Sequence, residues 1–598
     1  MKRICFVLGI IITGEFLWAA QGEAPVEVRV DPSQVRQVID GFGATWLSSG
    51  AANLTRRGDT AVPTQKLSGP EMEAEDTLSP SQKAMAVEAL FKDTGINLGN
   101  VDDPEMFSSW PIDPSLAHGL YPAKINLYSN QQLRDLRDSN YQQYLDECAG
   151  MVVGWAKKWQ KRWGYAPRYA MLFNEPTSGN RELRDRHSEK ADREMADIVK
   201  RAGAALRHAG YDTTFVFPNQ STLTISTETT WRVLADPEAR PYIGRIGYHE
   251  YPYRSELSSV KKILDRARLD GSYGELQARL NLRELAAAYG IPLWMTEVSH
   301  AAIEYTVNGV DADVRDFCLL LGRANHVQSE FVVAGASAFF GMNGVWSRRA
   351  HELHFPNEPS DMALTSEDDS LMIVDQKYHS AWLTGVSYAI GHYGRWITPG
   401  KTFRLEAASS DPLVRVTAFH DSAKDRVAVV LLNNASDARE VHITLQGATF
   451  RGRLGGEQST LVAYWKPFTP SGSEGGNGIR LTLPALSVTT LADQWAKENG
   501  PGMPEVSAGP DQQLPANATS ATLAGEVKGA QFHTWILVSG PGLAVIDQWS
   551  ALNPTVSGLK PGEYVFRLFA TNTAWQAASA AVRIRVGPPP APSGSAGL

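Results

Sequence analysis

The sequence predicts an α/β chain: a (β/α)8 barrel with an attached β-sandwich, then a C-terminal immunoglobulin-like β-sandwich. Three observations predict it. From about residue 39 to 397, short apolar runs alternate with amphipathic helical stretches, the pattern of parallel strands joined by helical crossovers. Near Gly400 the helices stop and strands follow one another through turns alone. A third block of strands lies beyond a short Gly/Pro-containing linker. The chain has 598 residues, too many for one ordinary domain. The length and number of repeats in the first block favour a barrel over a doubly wound sheet.

Each element follows in order. Lys2 and Arg3 precede the apolar run 4–12, and Ala19, Ala20 and Gly22 supply small residues for cleavage, so residues 1–22 read as an export signal. The run is too short, and too soon broken by Gly14 and Glu15, for a membrane span. No Cys stands near Ala20 for a lipid anchor, and no later stretch looks transmembrane. A secreted or periplasmic protein is expected, with no stable span in the mature chain. Residues 23–38 alternate as a strand expected to join the β-sandwich. The barrel, 39–397, has helices expected at 81–91, Tyr141–Trp163, 188–209 and 274–289. Its strands are expected at 169–173, 214–217, 243–248, 293–295 and 336–340. The β-sandwich, 398–493, carries strands at 403–406, 414–420, Arg426–Asn433, 440–445 and 479–483, with a flexible loop over 467–478. A linker, 494–505, leads to the immunoglobulin-like unit, 506–587, with strands near 521–523, 532–538 and 564–571. Trp575 in that unit is expected to be exposed by its setting and able to touch a ligand, or to be an ordinary loop residue. The tail, 588–598, is rich in Pro, Gly and Ser and is expected to be disordered.

Composition narrows the function. Hydrophobic residues at 43% and charged residues at 20% describe a chain that buries cores. A net charge of −8 argues against a nucleic-acid partner, which requires a basic surface to displace counterions. Of the three cysteines, Cys5 leaves with the signal. Cys148 and Cys318 lie far apart in helical stretches without metal-site spacing and are expected as buried thiols. No cofactor and no metal are implied. His351-Glu-Leu-His354 lacks the second His at the spacing a zinc helix needs, and Gly41-Phe-Gly43 lacks the third glycine of a dinucleotide site.

Two carboxylates stand out. Glu175 ends the run Ala170-Met-Leu-Phe-Asn-Glu-Pro176, and Glu297 ends Ile291-Pro-Leu-Trp-Met-Thr-Glu297. Each follows an apolar strand, and at roughly 40 residues per βα unit they fall on the fourth and seventh strands, across the barrel mouth. His249 and Tyr251 follow the strand between them. A lone Asn-Glu-Pro carries little weight: a second copy, Asn357-Glu358-Pro359, follows no strand and reads as a surface loop. The pair in strand context at this separation is the specific signal. Two carboxyl groups flanking one bond are what glycoside hydrolysis uses.

Phe173-Asn174-Glu175-Pro176 and Trp294-Met-Thr-Glu297 resemble the acid/base and nucleophile signatures of clan A glycoside hydrolases. Finer features resemble glycoside hydrolase family 30, the glucosylceramidase-like group. They are Val38-Ile-Asp-Gly-Phe-Gly-Ala44, Leu234-Ala-Asp-Pro-Glu-Ala-Arg240 leading to Tyr248-His-Glu-Tyr251, Tyr388-Ala-Ile-Gly391, Trp396-Ile-Thr-Pro-Gly400 and Leu483-Pro-Ala-Leu-Ser-Val-Thr-Thr490. Their order along residues 26–493 carries the resemblance. It implies a retaining enzyme for a β-linked carbohydrate, with Glu297 as nucleophile and Glu175 as acid/base, protonated at the start beside anionic Glu297. Asn174 would bind the sugar 2-hydroxyl, Tyr251 would orient Glu297, His249 would line the subsite near Glu175, and Trp346 or Phe340 would stand for the aromatic after strand 8. One departure is Asp102, near the end of strand 2, where the family carries Arg. The C-terminal unit resembles immunoglobulin-like domains of the polycystic-kidney-disease (PKD) type through Ala508-Gly-Pro-Asp511, Thr534-Trp535, Val538-Ser-Gly-Pro541 and Gly558-Leu-Lys-Pro-Gly-Glu-Tyr-Val-Phe566. The alternatives are an endo-acting clan A hydrolase of galactanase or agarase type, and a non-catalytic carbohydrate-binding surface protein.

Overall fold

The structure is a computed structural model. It describes residues 24–44, 78–101, 110–113, 119–122, 131–177, 188–249, 276–298, 315–341, 344–347, 370–375, 379–470, 476–494, 500–542 and 544–588. The signal, the tail, Asp102, Tyr251 and the second Asn-Glu-Pro lie outside these residues.

β1 (Val26–Ile39) precedes eight parallel strands: β2 (Gly41–Ala44), β3 (Leu98–Val101), β4 (Leu120–Pro122), β5 (Tyr169–Met171), β6 (Thr214–Gln220), β7 (Ile243–His249), β8 (Leu293–Glu297) and β9 (Ala338–Gly341). Hydrogen bonding runs β4-β3-β2-β9-β8-β7-β6-β5, and β4 lies beside β5, so the sheet nearly closes into the expected barrel. Helices return the chain between strands. The longest, Tyr141–Trp163, starts on an Asn140 side chain that accepts from the Gln143 N–H and stops at Gly164 in the left-handed region.

The barrel interior is filled by large side chains. Tyr121, Tyr169, Met171, Val216, Trp294 and Phe340 pack in one cluster inside the strands. Gly43 is small because the Phe340 ring needs its place: a Cβ there would meet that ring at 2.5 Å. At the N-terminal floor, Asp40 accepts from Trp294 Nε1 (2.8 Å), Ser337 Oγ (2.9 Å), and Arg245 Nε and Nη2 (2.9 and 3.1 Å). The Asp-Gly-Phe-Gly run is thus a barrel-closing device.

After β9, a small sheet forms from β10 (Val345–Ser347), β11 (Met372–Asp375) and β12 (Ser380–Leu383). The helix Gly385–Gly394 then completes the barrel unit. β13 (Thr402–Ser409), β14 (Val414–Asp421), β15 (Arg426–Asn433), β16 (Arg439–Leu445), β17 (Gly455–Thr460), β18 (Ala463–Phe468), β19 (Gly478–Leu483) and β20 (Ser487–Ala492) build the attached sandwich. β1 enters it between β13, antiparallel, and β16, parallel. β15 shows how two cores share one strand. Val429 and Leu431 face the sandwich core, while Val430 and Leu432 face the barrel helices.

The last unit contains β21 (Glu505–Ser507), β22 (Gln512–Leu514), β23 (Ser520–Thr522), β24 (Glu526–Lys528), β25 (Phe532–Ser539), β26 (Val545–Ile546), β27 (Thr555–Ser557), β28 (Gly562–Thr571) and β29 (Ala577–Val586), around Trp535, Tyr564 and Phe566. β29 pairs with β18, so one thirteen-stranded sheet runs from the sandwich into this unit. The expectation of an exposed Trp575 is corrected. It is 3% exposed and belongs to the same apolar cluster as the barrel. Its ring stacks on Phe532 with centroids 5.8 Å apart, and its carbonyl accepts from Tyr388 Oη at 2.8 Å. The flanking turn residues suggested a surface loop, but that turn is the one docked on the barrel. Cys148 is a buried free thiol, its pKa pushed up to about 12 by burial.

Candidate active site

Glu297 is the last residue of β8 and is buried. The β7–β8 ladder sets His249 opposite it. Glu175 is presented differently. The β5 ladder ends at Met171, and the chain continues through buried Leu172 and Phe173 before turning at Glu175, whose φ is 50°. That left-handed conformation is strained for a residue with a Cβ, and such strain persists only where neighbours enforce it. The Glu175 N–H donates to the Asn219 carbonyl at 2.7 Å.

His249 joins the two carboxylates. Its Nδ1 is 3.1 Å from Glu175 Oε1, and its Nε2 is 3.9 Å from Glu297 Oε2. One donor atom from each of the three residues falls within 4.8 Å of the others. Among the described residues this is the group with the donors for a metal ion. Asn174 lies beside Glu175 half-buried, and its buried Oδ1 accepts no hydrogen bond from the described residues. Trp346 lies in β10, where its backbone pairs with Ile373.

The sequence reading missed the residues that hold this geometry. Asn219, at φ 56°, accepts from Thr296 Oγ1 through its Oδ1 at 2.8 Å and donates from Nδ2 to the Val216 carbonyl at 2.8 Å. It ties the turn carrying Glu175 to the residue before Glu297. Gly247 makes room for it, since a Cβ there would lie 2.2 Å from Asn219 Oδ1. Gln220 Oε1 accepts from Thr177 Oγ1 at 3.0 Å, just past the Glu-Pro turn. A polar pair one residue, Pro218, beyond the apolar run 214–217 was the available signal, similar to the one that marked Asn174 and Glu175.

Buried charge supports β7 from outside the barrel. Tyr248 donates to Glu330, which also accepts from Arg279 Nε at 2.7 Å. Burial opposes the ionised Glu330, but Arg279 and His326 hold its carboxyl well below the usual range. Tyr248 points to this network and His249, next in the strand, to the mouth. Below the site, burial above all, and also the charge of Glu297, push the Tyr121 phenol well above its ordinary value.

Known structures share the fold. The catalytic domain of GH30 xylanase C from Talaromyces cellulolyticus superposes with TM-score 0.50 at 15% identity, over 78% of this chain and 100% of that one. The glycoside hydrolase family 30 subfamily 8 xylanase from Clostridium acetobutylicum gives 0.51 at 16%, over 78% and 99%. A conserved exported protein from Bacteroides fragilis gives 0.51 at 13%, also over 78% and 99%. The barrel and its sandwich have the fold of the two family 30 xylanases. Residues 508–586 match the family model described as K319L-like, PKD domain. No curated protein matches the chain by sequence. Among the described residues, no helix is long and apolar enough to cross a membrane.

Proposed function

We propose that the chain is a secreted retaining β-glycoside hydrolase acting on a β-linked glycoside or polysaccharide by double displacement. The observation that carries the reading is the pair Glu175 and Glu297 at one mouth, with donor oxygens and the His249 imidazole within 4.8 Å of one another. Retaining enzymes set their carboxyls about 5–5.5 Å apart, whereas inverting enzymes leave about 6.5–9.5 Å for a water. Glu297 attacks the anomeric carbon while Glu175 protonates the departing glycosidic oxygen. The C–O bond breaks and a glycosyl ester on Glu297 forms. Glu175, now a carboxylate, takes a proton from water, whose oxygen attacks the same carbon and releases Glu297. His249, against Glu175 Oε1, fixes the direction of that carboxyl. Asn174 Oδ1 is a ready acceptor for the sugar 2-hydroxyl. Tyr251 is assigned to orient Glu297 and Trp346 to stack on the sugar.

The test is hydrolysis of aryl β-glycosides and β-linked polysaccharides by wild type, Glu297→Gln and Glu175→Gln. Xylan heads the panel because two similar structures are xylanases. Loss of cleavage in Glu297→Gln supports the reading. So does a Glu175→Gln variant that spares substrates with good leaving groups. Cleavage surviving both substitutions overturns it, and binding of a polysaccharide without turnover points to a non-catalytic binding protein. A metal-assisted hydrolase is the second reading, favoured by the same three donors. It requires that a chelator abolish activity and that a divalent cation restore it.

A further inference from the structure

Modules of the immunoglobulin type are commonly joined through linkers and swing relative to their neighbours. This one is held at two separate corners. At one, Ala463 and Tyr464 of β18 pair with Ala578 and Ala577 of β29, and buried Trp575 accepts from Tyr388 of the last barrel helix. At the other, Trp549 Nε1 donates to Asp375 Oδ2 at 2.8 Å. Trp549 is 4% exposed and Asp375 3%. A carboxylate buried to that degree is costly without such donors, so this contact belongs to the folded state and is not a surface touch.

Asp375 matters because of where it stands. The chain leaves the barrel at Gly341, the end of β9, and re-enters through the helix Gly385–Gly394. β10–β12 lie on that excursion, which starts at the C-terminal end of β9, the strand paired with the one that carries Glu297. Leu371 packs over the strand end, since a Cβ on Gly341 would meet Leu371 Cδ2 at 2.9 Å. Val345, Met372, Val374, Ala381 and Leu383 root the small sheet in the barrel core. On the outer side, β12 lies against β25 of the immunoglobulin-like unit.

We infer that the immunoglobulin-like unit is a working part of the barrel mouth, with Trp549 as a positioning residue that fixes β10–β12 through Asp375. Trp346 is backbone-paired to Ile373 in the same sheet, so its backbone position depends on β11. The unit thereby sets substrate affinity without touching the reacting atoms. The affinity part of the inference rests on the hydrolase reading above, and the bracing part stands on geometry alone.

The experiment compares full-length wild type, Trp549→Phe, Asp375→Leu and Asp375→Asn. Thermal unfolding first establishes that each variant is folded. Amide hydrogen exchange then follows residues 371–375 and 380–383 against the barrel strands, and KM and kcat are measured on the best substrate of the panel. Trp549→Phe removes the indole N–H but keeps an aromatic ring. It should speed exchange in the small sheet about tenfold and leave the barrel strands unchanged. KM should rise about three- to tenfold, with kcat within about twofold. Asp375→Leu should match it, and Asp375→Asn, which keeps an acceptor oxygen, should lie close to wild type. Unchanged exchange in Trp549→Phe and Asp375→Leu overturns the brace. Faster exchange with unchanged KM overturns its role in substrate affinity. If wild type cleaves nothing on the panel, the hydrolase reading fails separately, and the exchange measurement still decides the brace.

Discussion

The two ends of the barrel use carboxylates in opposite ways. At the floor, Asp40 is surrounded by donors from Arg245, Trp294 and Ser337. At the mouth, Glu175 and Glu297 are set near one another with an imidazole between them. One five-residue strand serves both ends, since Trp294 reaches down to Asp40 and Glu297 opens on the mouth. The floor matches a negative charge with a guanidinium and gains stability. The mouth opposes like charges and bends Glu175 into a left-handed backbone, which costs stability. Opposed charges and strain of this kind are the mark of a place shaped for chemistry.

Substitutions at each end should separate these roles. The largest effect is expected at the mouth. On the proposed mechanism, Glu297→Gln should lower kcat/KM by about 10³- to 10⁴-fold, because the proposed nucleophile is lost. Its melting temperature should stay level or rise, since the like-charge pair is relieved. Steady-state kinetics with calorimetry measures both, and a variant that melts early with activity intact would erase the distinction between mouth and floor. Asp40→Ala should do the reverse. Stripping the carboxylate from partly buried Arg245 should cost about 3 kcal/mol in denaturant unfolding. The kcat of the folded fraction should match wild type.

Much of this contrast was legible in the sequence, for definite reasons. Glu175 and Glu297 were visible because each ends an apolar run, and a strand end in a barrel is a point on the mouth. The floor was visible only as a motif: Asp40-Gly-Phe-Gly announced itself, but its four donors come from three other strand ends far along the chain. Asn219 was missed because its work is done by a backbone carbonyl and a side-chain hydrogen bond from Thr296, two strands away, neither of which leaves a periodic trace. β17 and β18 were missed because Gly455, Gly456, Ser459 and Pro467 weaken the strand signal. Trp575 was misplaced because turn chemistry reports local shape and not what packs on it.

The flank between barrel and sandwich follows the rule of the floor, and a smaller effect should show it. His392, on the last barrel helix, lies 2.8 Å from Thr490 Oγ1 and 2.7 Å from Ser459 Oγ. Burial, helped by the charge of Arg395, lowers its pKa to about 3. The unfolded ring titrates near pH 6.5. Stability from the neutral ring is therefore complete above that pH and is lost as the pH falls toward 3. By pH 4.5 the loss should be about 2–3 kcal/mol. His392→Gln should flatten the acid limb of the stability curve, at some cost at neutral pH. An unchanged acid limb would mean that the ring is not the titrating group at this seam.

The smallest effect is expected where the barrel meets the immunoglobulin-like unit. Burial raises the pKa of Asp93 to about 6, against the pull of Arg395 and of a hydrogen bond from Trp575. Because the folded value lies above the ordinary 3.8, the protonated acid is the form the fold prefers. Its contribution is complete below about pH 4 and is lost as the pH rises through about 6. Asp93→Asn is neutral at every pH and keeps an acceptor for the Trp575 indole. At pH 7.5 it should be more stable than wild type by about 1 kcal/mol, after allowance for solvent screening of a partly exposed carboxyl. At pH 4.5 the two should melt together. Melting curves across that range test it. A variant less stable than wild type at pH 7.5 would show that the Asp93 charge is wanted at this contact, so that the seam resembles the paired floor and not a site that tolerates strain.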